Sequence, residues 1–123
     1  MTKTALVTGG NRGIGEAITR KLIADGYQVA ITSRDGSGPE EAFKVKADLN
    51  DPVSLDAAVL EIENKLGPIQ ILVANAGVTN DQLLLRMTDE DFENVVATNL
   101  TGTFRVVKRS IKSMLKSKFG RIV

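Results

Sequence analysis

Four glycines fall within eight residues near the start of the chain, in Thr8-Gly9-Gly10-Asn11-Arg12-Gly13-Ile14-Gly15, between a short apolar run and a helical pattern. No other stretch restricts the fold as much. Ala5, Leu6 and Val7 read as a buried strand, and Ile14, Ala17, Ile18 and Leu22 recur at helical spacing, which places the glycines at a strand-to-helix turn. Glycine permits positive φ and close approach of a ligand to the backbone, while a helix start leaves unpaired N–H groups and positive dipole facing the turn. A pyrophosphate fits such a turn, so the stretch reads as a dinucleotide cradle. A tight turn needing glycine for sterics alone is the competing reading, and it does not require strand, turn and helix to coincide.

The remaining chain continues in the same style. Asp25-Gly26 stops the first helix, Gln28 to Thr32 is a second strand, and Phe43 to Lys46 a third. Only eight residues, Asp35 to Ala42, join the latter two, about the lower limit for a parallel crossover, leaving room for one helical turn after Pro39. Asp51 caps a helix with Pro52 at its first position and an apolar stripe of Val53, Ala57, Leu60 and Leu66, ending at Gly67-Pro68. A fourth strand runs from Ile69 to Ala74. Thr88 and Asp91 suit a capping box, and a long helix follows whose stripe, Phe92, Val95, Val96, Leu100, Phe104, Val107, Ile111, Met114 and Leu115, predicts one buried face with Lys and Arg on the other. Gly120 ends it, and Arg121-Ile122-Val123 begins a fifth strand. Strands alternating with helices on short links give a parallel sheet wound by right-handed crossovers, in one domain over 1–123 without repeats.

Charge and residue types exclude several chemistries. With 16 Lys+Arg against 15 Asp+Glu the net charge of +1 favours no partner, but no acid follows Glu93, so the C-terminal segment is basic. That segment is one face of an amphipathic helix, which argues against a nucleic-acid partner. The chain has no Cys and no His, which removes disulfides, thiolate catalysis and the commonest base and metal ligand, so no metal site is expected. It has no leader-like or bilayer-spanning apolar run, the pattern of a soluble cytoplasmic protein away from membranes.

The glycine turn followed by Asn75-Ala76-Gly77 after the fourth strand resembles the short-chain dehydrogenase/reductase family, over all 123 residues. Leu84-Leu85-Arg86-Met87, Asn99-Leu100-Thr101-Gly102-Thr103-Phe104-Arg105 and Phe119-Gly120-Arg121-Ile122-Val123 are most similar to its 3-oxoacyl-[acyl-carrier-protein] reductases. The resemblance implies a Rossmann-type α/β fold with helices on both faces, truncated to about four strands plus the start of a fifth. It implies a cofactor held by Gly9, Asn11, Arg12, Gly13, Ile14 and Gly15 at the pyrophosphate, Asp48 and Leu49 at the adenine, and Asn75, Ala76 and Gly77 beneath. An NAD-preferring relative carries an acid at the end of the second strand, where this chain reads Thr32-Ser33-Arg34, so Arg12 and Arg34 point to a 2′-phosphate and hence to NADP(H). From its own surroundings Asp48 serves the turn before Pro52 equally well.

Asn99 matches the helix asparagine of the family's proton relay. The Ser and the Tyr-x-x-x-Lys of relatives have no counterpart in these residues, since the one tyrosine, Tyr27, precedes the second strand and Ile31 stands four residues later. The resemblance thus implies the cofactor-binding half of a fatty-acid-synthesis reductase, inactive alone, acting on acyl-carrier-protein-linked 3-oxoacyl substrates. Lys116, Lys118 and Arg121 would face the acidic carrier, and the long helix would pack on its copy in a homo-oligomer or the chain would pair with its missing half. The alternative is a non-catalytic half-domain that holds a nucleotide or pairs with itself through an exposed edge.

Overall fold

A computed structural model describes residues 2–123. Five parallel strands, β1 (Thr4–Thr8), β2 (Gln28–Ser33), β3 (Phe43–Lys46), β4 (Ile69–Val73) and β5 (Arg121–Ile122), form one sheet in the order β3-β2-β1-β4-β5. Ala5, Leu6 and Val7 of β1 are fully buried, as a central parallel strand covered on both faces must be. Side chains alternate across it. Ala5, Val7, Val29 and Ile31 meet Ile18 and Leu22 of helix α1 (Gly13–Ala24) on one face. On the other, Leu6, Ala30 and Leu72 meet Leu55, Val59 and Ile62 of α2 (Pro52–Leu66) together with Val106 and Met114 of the last helix. Helices therefore cover both faces of a parallel sheet, a Rossmann-like arrangement.

Both expected caps form. The Asp51 carboxylate accepts from the N–H groups of Val53 and Ser54 at 3.0 and 3.4 Å, with Pro52 beginning α2. Replacing Asp51 by Ala leaves those donors to water and lowers stability by about 1 kcal/mol, measurable by urea denaturation; an unchanged midpoint would refute the cap's contribution. Thr88 and Asp91 close the capping box of α3 (Asp89–Val96), each side chain accepting from the other's backbone N–H at 3.0 Å. The hydrogen bonds from Thr88, its backbone N–H first, hold the Asp91 carboxyl below its ordinary pKa.

Several expected details are corrected. The link after Pro39 is a turn with no helix, closed by Ala42 N–H to the Pro39 carbonyl at 3.2 Å. In α2 the buried residues are Leu55, Ala58, Val59 and Ile62, while Val53 and Leu60 are 77% and 54% exposed. Leu55, Ala58, Val59 and Ile62 follow one another at one-, three- and four-residue steps down one face, against which Leu66 also packs, and that is the face the sheet covers. The long helix is α3, a π turn at Ala97–Thr101 and α4 (Gly102–Ser117) in continuous helical conformation. A π turn inserts a residue, so periodicity read across it follows no single face. The helix therefore buries Thr98, Gly102, Val106, Ser110, Ser113 and Met114, mostly small residues that let it lie close to the sheet. Phe92, Leu100, Phe104 and Leu115 of the expected stripe remain more than 60% exposed.

Nor do all the basic side chains face water: Arg105 donates to the Leu49 carbonyl at 3.2 Å, and Arg109 sits between Asp56 and Glu63 at 3.6 and 3.5 Å. Ser113 donates to Glu63 beside it. The helix stop is Lys118, with φ 55, where Phe119 N–H reaches the Met114 carbonyl and Lys118 N–H that of Leu115, a Schellman ending built on lysine and not on Gly120. No helix among the described residues is long and apolar enough to cross a membrane.

Candidate cofactor site

Strand order reverses beside β1, which runs to β2 on one side and pairs with β4 on the other, and an open cleft of about 620 Å³ lies at the carboxyl ends of the strands there. In open parallel sheets this is where ligands bind. Its lining brings together Gly9, Asn11, Arg12, Gly13, Ile14, Gly15, Arg34, Asp48, Leu49, Asn75, Ala76 and Gly77, the whole residue set expected of a dinucleotide site. Ser33, Asp35, Thr32, Ala47, Val78 and Thr98 complete it. Asn99 is not part of that lining; it is an exposed residue of the π turn.

The glycine turn is shaped from within. Gly13 opens α1 with φ 57, a conformation that strains any side chain, and the first helical bond runs from Glu16 N–H to the Arg12 carbonyl at 3.1 Å. The N–H groups of Gly13, Ile14 and Gly15 thus have no helical acceptor and face the cleft at the positive end of α1. Gly15 packs so tightly that a Cβ there would overlap the Gly9 carbonyl and the Asn75 amide. The turn is tied to β2 by Gly9 N–H to the Thr32 carbonyl at 2.9 Å. Ile14 is 75% exposed over the cleft, so it leaves the apolar face of α1 that Ile18 and Leu22 continue.

Asn75 supports the turn from β4. Its side-chain amide donates to the carbonyls of Thr8 and Gly9 at 3.1 and 3.2 Å, while Thr8 Oγ1 accepts from the N–H groups of Asn75 and Ala76 at 3.1 and 3.0 Å. Two loops from adjacent strands are thereby locked in register. Thr8 is a supporting residue the motif reading passed over, although it heads the glycine stretch.

Asn99 holds the segment after β4. Its amide accepts from Val78 N–H and donates to the Val78 carbonyl, both at 2.8 Å, while its own carbonyl accepts from Thr103 Oγ1 at 2.7 Å. Next to it Thr98 Oγ1 accepts from the Asn50 side chain at 3.1 Å, joining the π turn to the loop after β3. No sequence signal marks that pair. Asp48 lines the cleft and also serves its turn, one carboxylate oxygen accepting Asn50 N–H at 2.9 Å. Of the two guanidiniums lining the cleft, Arg12 and Arg34, neither pairs with a carboxylate among the described residues, and both are exposed.

Free N–H groups at a helix start, a glycine that no side chain can replace and two unpaired guanidiniums fit a phosphorylated dinucleotide. Among the described residues no group of three His, Cys, Asp or Glu is placed to hold a metal ion. The short chain dehydrogenase family profile matches residues 3–123. The chain belongs to the short-chain dehydrogenase family. Within it, the chain is 47% identical over its 123 residues to the 3-oxoacyl-[acyl-carrier-protein] reductase MabA of Mycobacterium bovis, and equally to that of Mycobacterium tuberculosis, covering 50% of their length. It is 35% identical over 135 residues to the 3-oxoacyl-[acyl-carrier-protein] reductase FabG of Staphylococcus aureus, covering 55% of that protein. This short-chain dehydrogenase chain spans about half the length of the curated relatives it matches.

Proposed function

We propose that the chain is the cofactor-binding half of an NADPH-dependent 3-oxoacyl-[acyl-carrier-protein] reductase. The observation that carries this reading is the cleft itself, in which the glycine turn and two unpaired guanidiniums converge where strand order reverses. The N–H groups of Gly13, Ile14 and Gly15 hold the pyrophosphate, and Arg12 and Arg34 neutralise a 2′-phosphate. Asp48 and Leu49 border the adenine. The cofactor, when bound, would supply hydride to a carbonyl carbon, and Asn99, which holds Val78 of the cleft lining, would belong to a proton relay.

A reductase also needs an acid for the alkoxide, and Tyr27 is misplaced for that work: it packs against the α1 side of the core, before β2, at the opposite end of the sheet from the cleft. The 123-residue polypeptide therefore binds dinucleotide without turning it over. In a spectrophotometric assay with a 3-oxoacyl thioester, NADPH absorbance stays at its background rate; protein-dependent oxidation would overturn this reading.

Two surfaces support the partners of such an enzyme. Lys116 lies in the last turn of α4, Lys118 caps it and Arg121 opens β5, where Lys3 and Arg121 lie over the Phe119 ring at 4.9 and 4.7 Å; these basic side chains would meet an acidic carrier protein. The exposed apolar face of α3 and α4 suits a second copy of the chain. Sedimentation velocity is then expected to show an oligomer that Phe104→Glu dissociates, whereas a monomer at all concentrations would remove that surface from the proposal.

A further inference from the structure

We propose that Ser37 is a positioning residue for cofactor choice, holding one oxygen of the Asp35 carboxylate within its own loop so that this charge is not free to turn toward the ribose 2′ position that Arg34 faces; this rests on the cofactor reading above. The chain leaves β2 through Arg34 and Asp35, both of which line the cleft. An acid at that point accepts from a free 2′-hydroxyl, and an arginine meets a 2′-phosphate. Adjacent residues of opposite sign therefore favour opposite cofactors, and the loop decides which is heard.

Ser37 acts on one side only. Its N–H and its Oγ both donate to the same Asp35 oxygen, at 2.9 and 2.7 Å. Its carbonyl accepts from Ser33 Oγ at 2.9 Å, and Ser33 is buried at the end of β2, so the clamp is anchored to the sheet. These bonds, the Ser37 hydroxyl's first and its N–H next, hold the Asp35 carboxyl below its ordinary pKa. Arg34 has no such tie among the described residues. A carboxylate freed from the Ser37 hydroxyl can turn toward the ribose, where its charge opposes a 2′-phosphate more closely and its oxygen accepts from a 2′-hydroxyl, moving the two affinities in opposite directions.

The test titrates NADP⁺ and NAD⁺ separately against the wild-type chain, Ser37→Ala, Ser37→Thr and the double variant Ser37→Ala/Asp35→Asn, with thermal denaturation of each. Ser37→Ala is expected to lower the NADP⁺:NAD⁺ affinity ratio about threefold to tenfold, since a hydrogen bond to a charged group is lost. Ser37→Thr keeps the hydroxyl and the ratio, and Asp35→Asn in the Ser37→Ala background restores it. An unchanged ratio in Ser37→Ala overturns the inference, as does a parallel fall in both affinities or a loss that Asp35→Asn does not reverse. Binding of neither dinucleotide by the wild-type chain would instead overturn the cofactor reading, and the inference with it.

Discussion

Gly15→Ala is expected to destabilise the chain by about 2 to 3 kcal/mol and to abolish dinucleotide binding, although glycine to alanine within an exposed helix ordinarily stabilises by about 1 kcal/mol. The reversal of sign comes from position. A Cβ on Gly15 would overlap the Gly9 carbonyl, which is backbone and cannot rotate away, and the Asn75 amide that joins the turn to β4. Relieving the overlap means moving α1 away from β1 or expelling Asn75 from its two acceptors, and either change spoils the alignment of the N–H groups at the helix start. Gly13 offers the control, since nothing lies within 4 Å of a Cβ there and only its φ of 57 opposes a side chain. Gly13→Ala should then cost about 1 kcal/mol, the strain of that conformation. Equilibrium denaturation of the two variants decides the matter: a Gly15→Ala protein as stable as wild type would show that the tight packing of the turn is unimportant.

Arg34→Ala is expected to weaken NADP⁺ binding by about tenfold to a hundredfold while leaving NAD⁺ affinity within about threefold, because a guanidinium facing a phosphate makes a charge-assisted contact that a hydroxyl cannot replace. Arg12→Ala should act in the same direction. Neither side chain has a carboxylate partner among the described residues, so neither substitution strands a buried charge or breaks an ion pair. Their melting temperatures should stay near that of wild type, which separates a loss of recognition from a loss of fold. An NADP⁺:NAD⁺ ratio unaffected by Arg34→Ala would show that the arginine is merely solvated.

Much of this arrangement was legible in the residues because local chemistry and fold agree. Short apolar runs at Ala5–Val7 and Ile69–Ala74 read as covered strands, Asp51-Pro52 and Thr88–Asp91 announce helix starts, and each is found there, β4 ending one residue earlier at Val73. The cleft residues were legible for the same reason, since a glycine turn between strand and helix has one place in a parallel sheet. Helix faces were less so. In α2 two apolar stripes compete, and the sheet's choice of Leu55, Val59 and Ile62 over Val53 and Leu60 is a tertiary decision with no local mark. In the last helix the π turn at Ala97–Thr101 shifts the register, so one stripe read straight through it mixes buried Met114 with exposed Leu100 and Phe104. Long-range polar pairs were invisible for a simpler reason. Asn50 with Thr98, and Asn99 with Val78, join segments 48 and 21 residues apart and follow from no spacing rule.

Calorimetric titration of the wild-type chain with NADPH and NADH at low ionic strength decides whether the cleft holds NADP(H) through the glycine turn, with the 2′-phosphate on Arg12 and Arg34. Binding of NADPH at least about tenfold tighter than NADH, with 2′,5′-ADP competing and 5′-ADP much weaker, is the predicted result. Equal affinity for the two dinucleotides, or heat from neither, would contradict it.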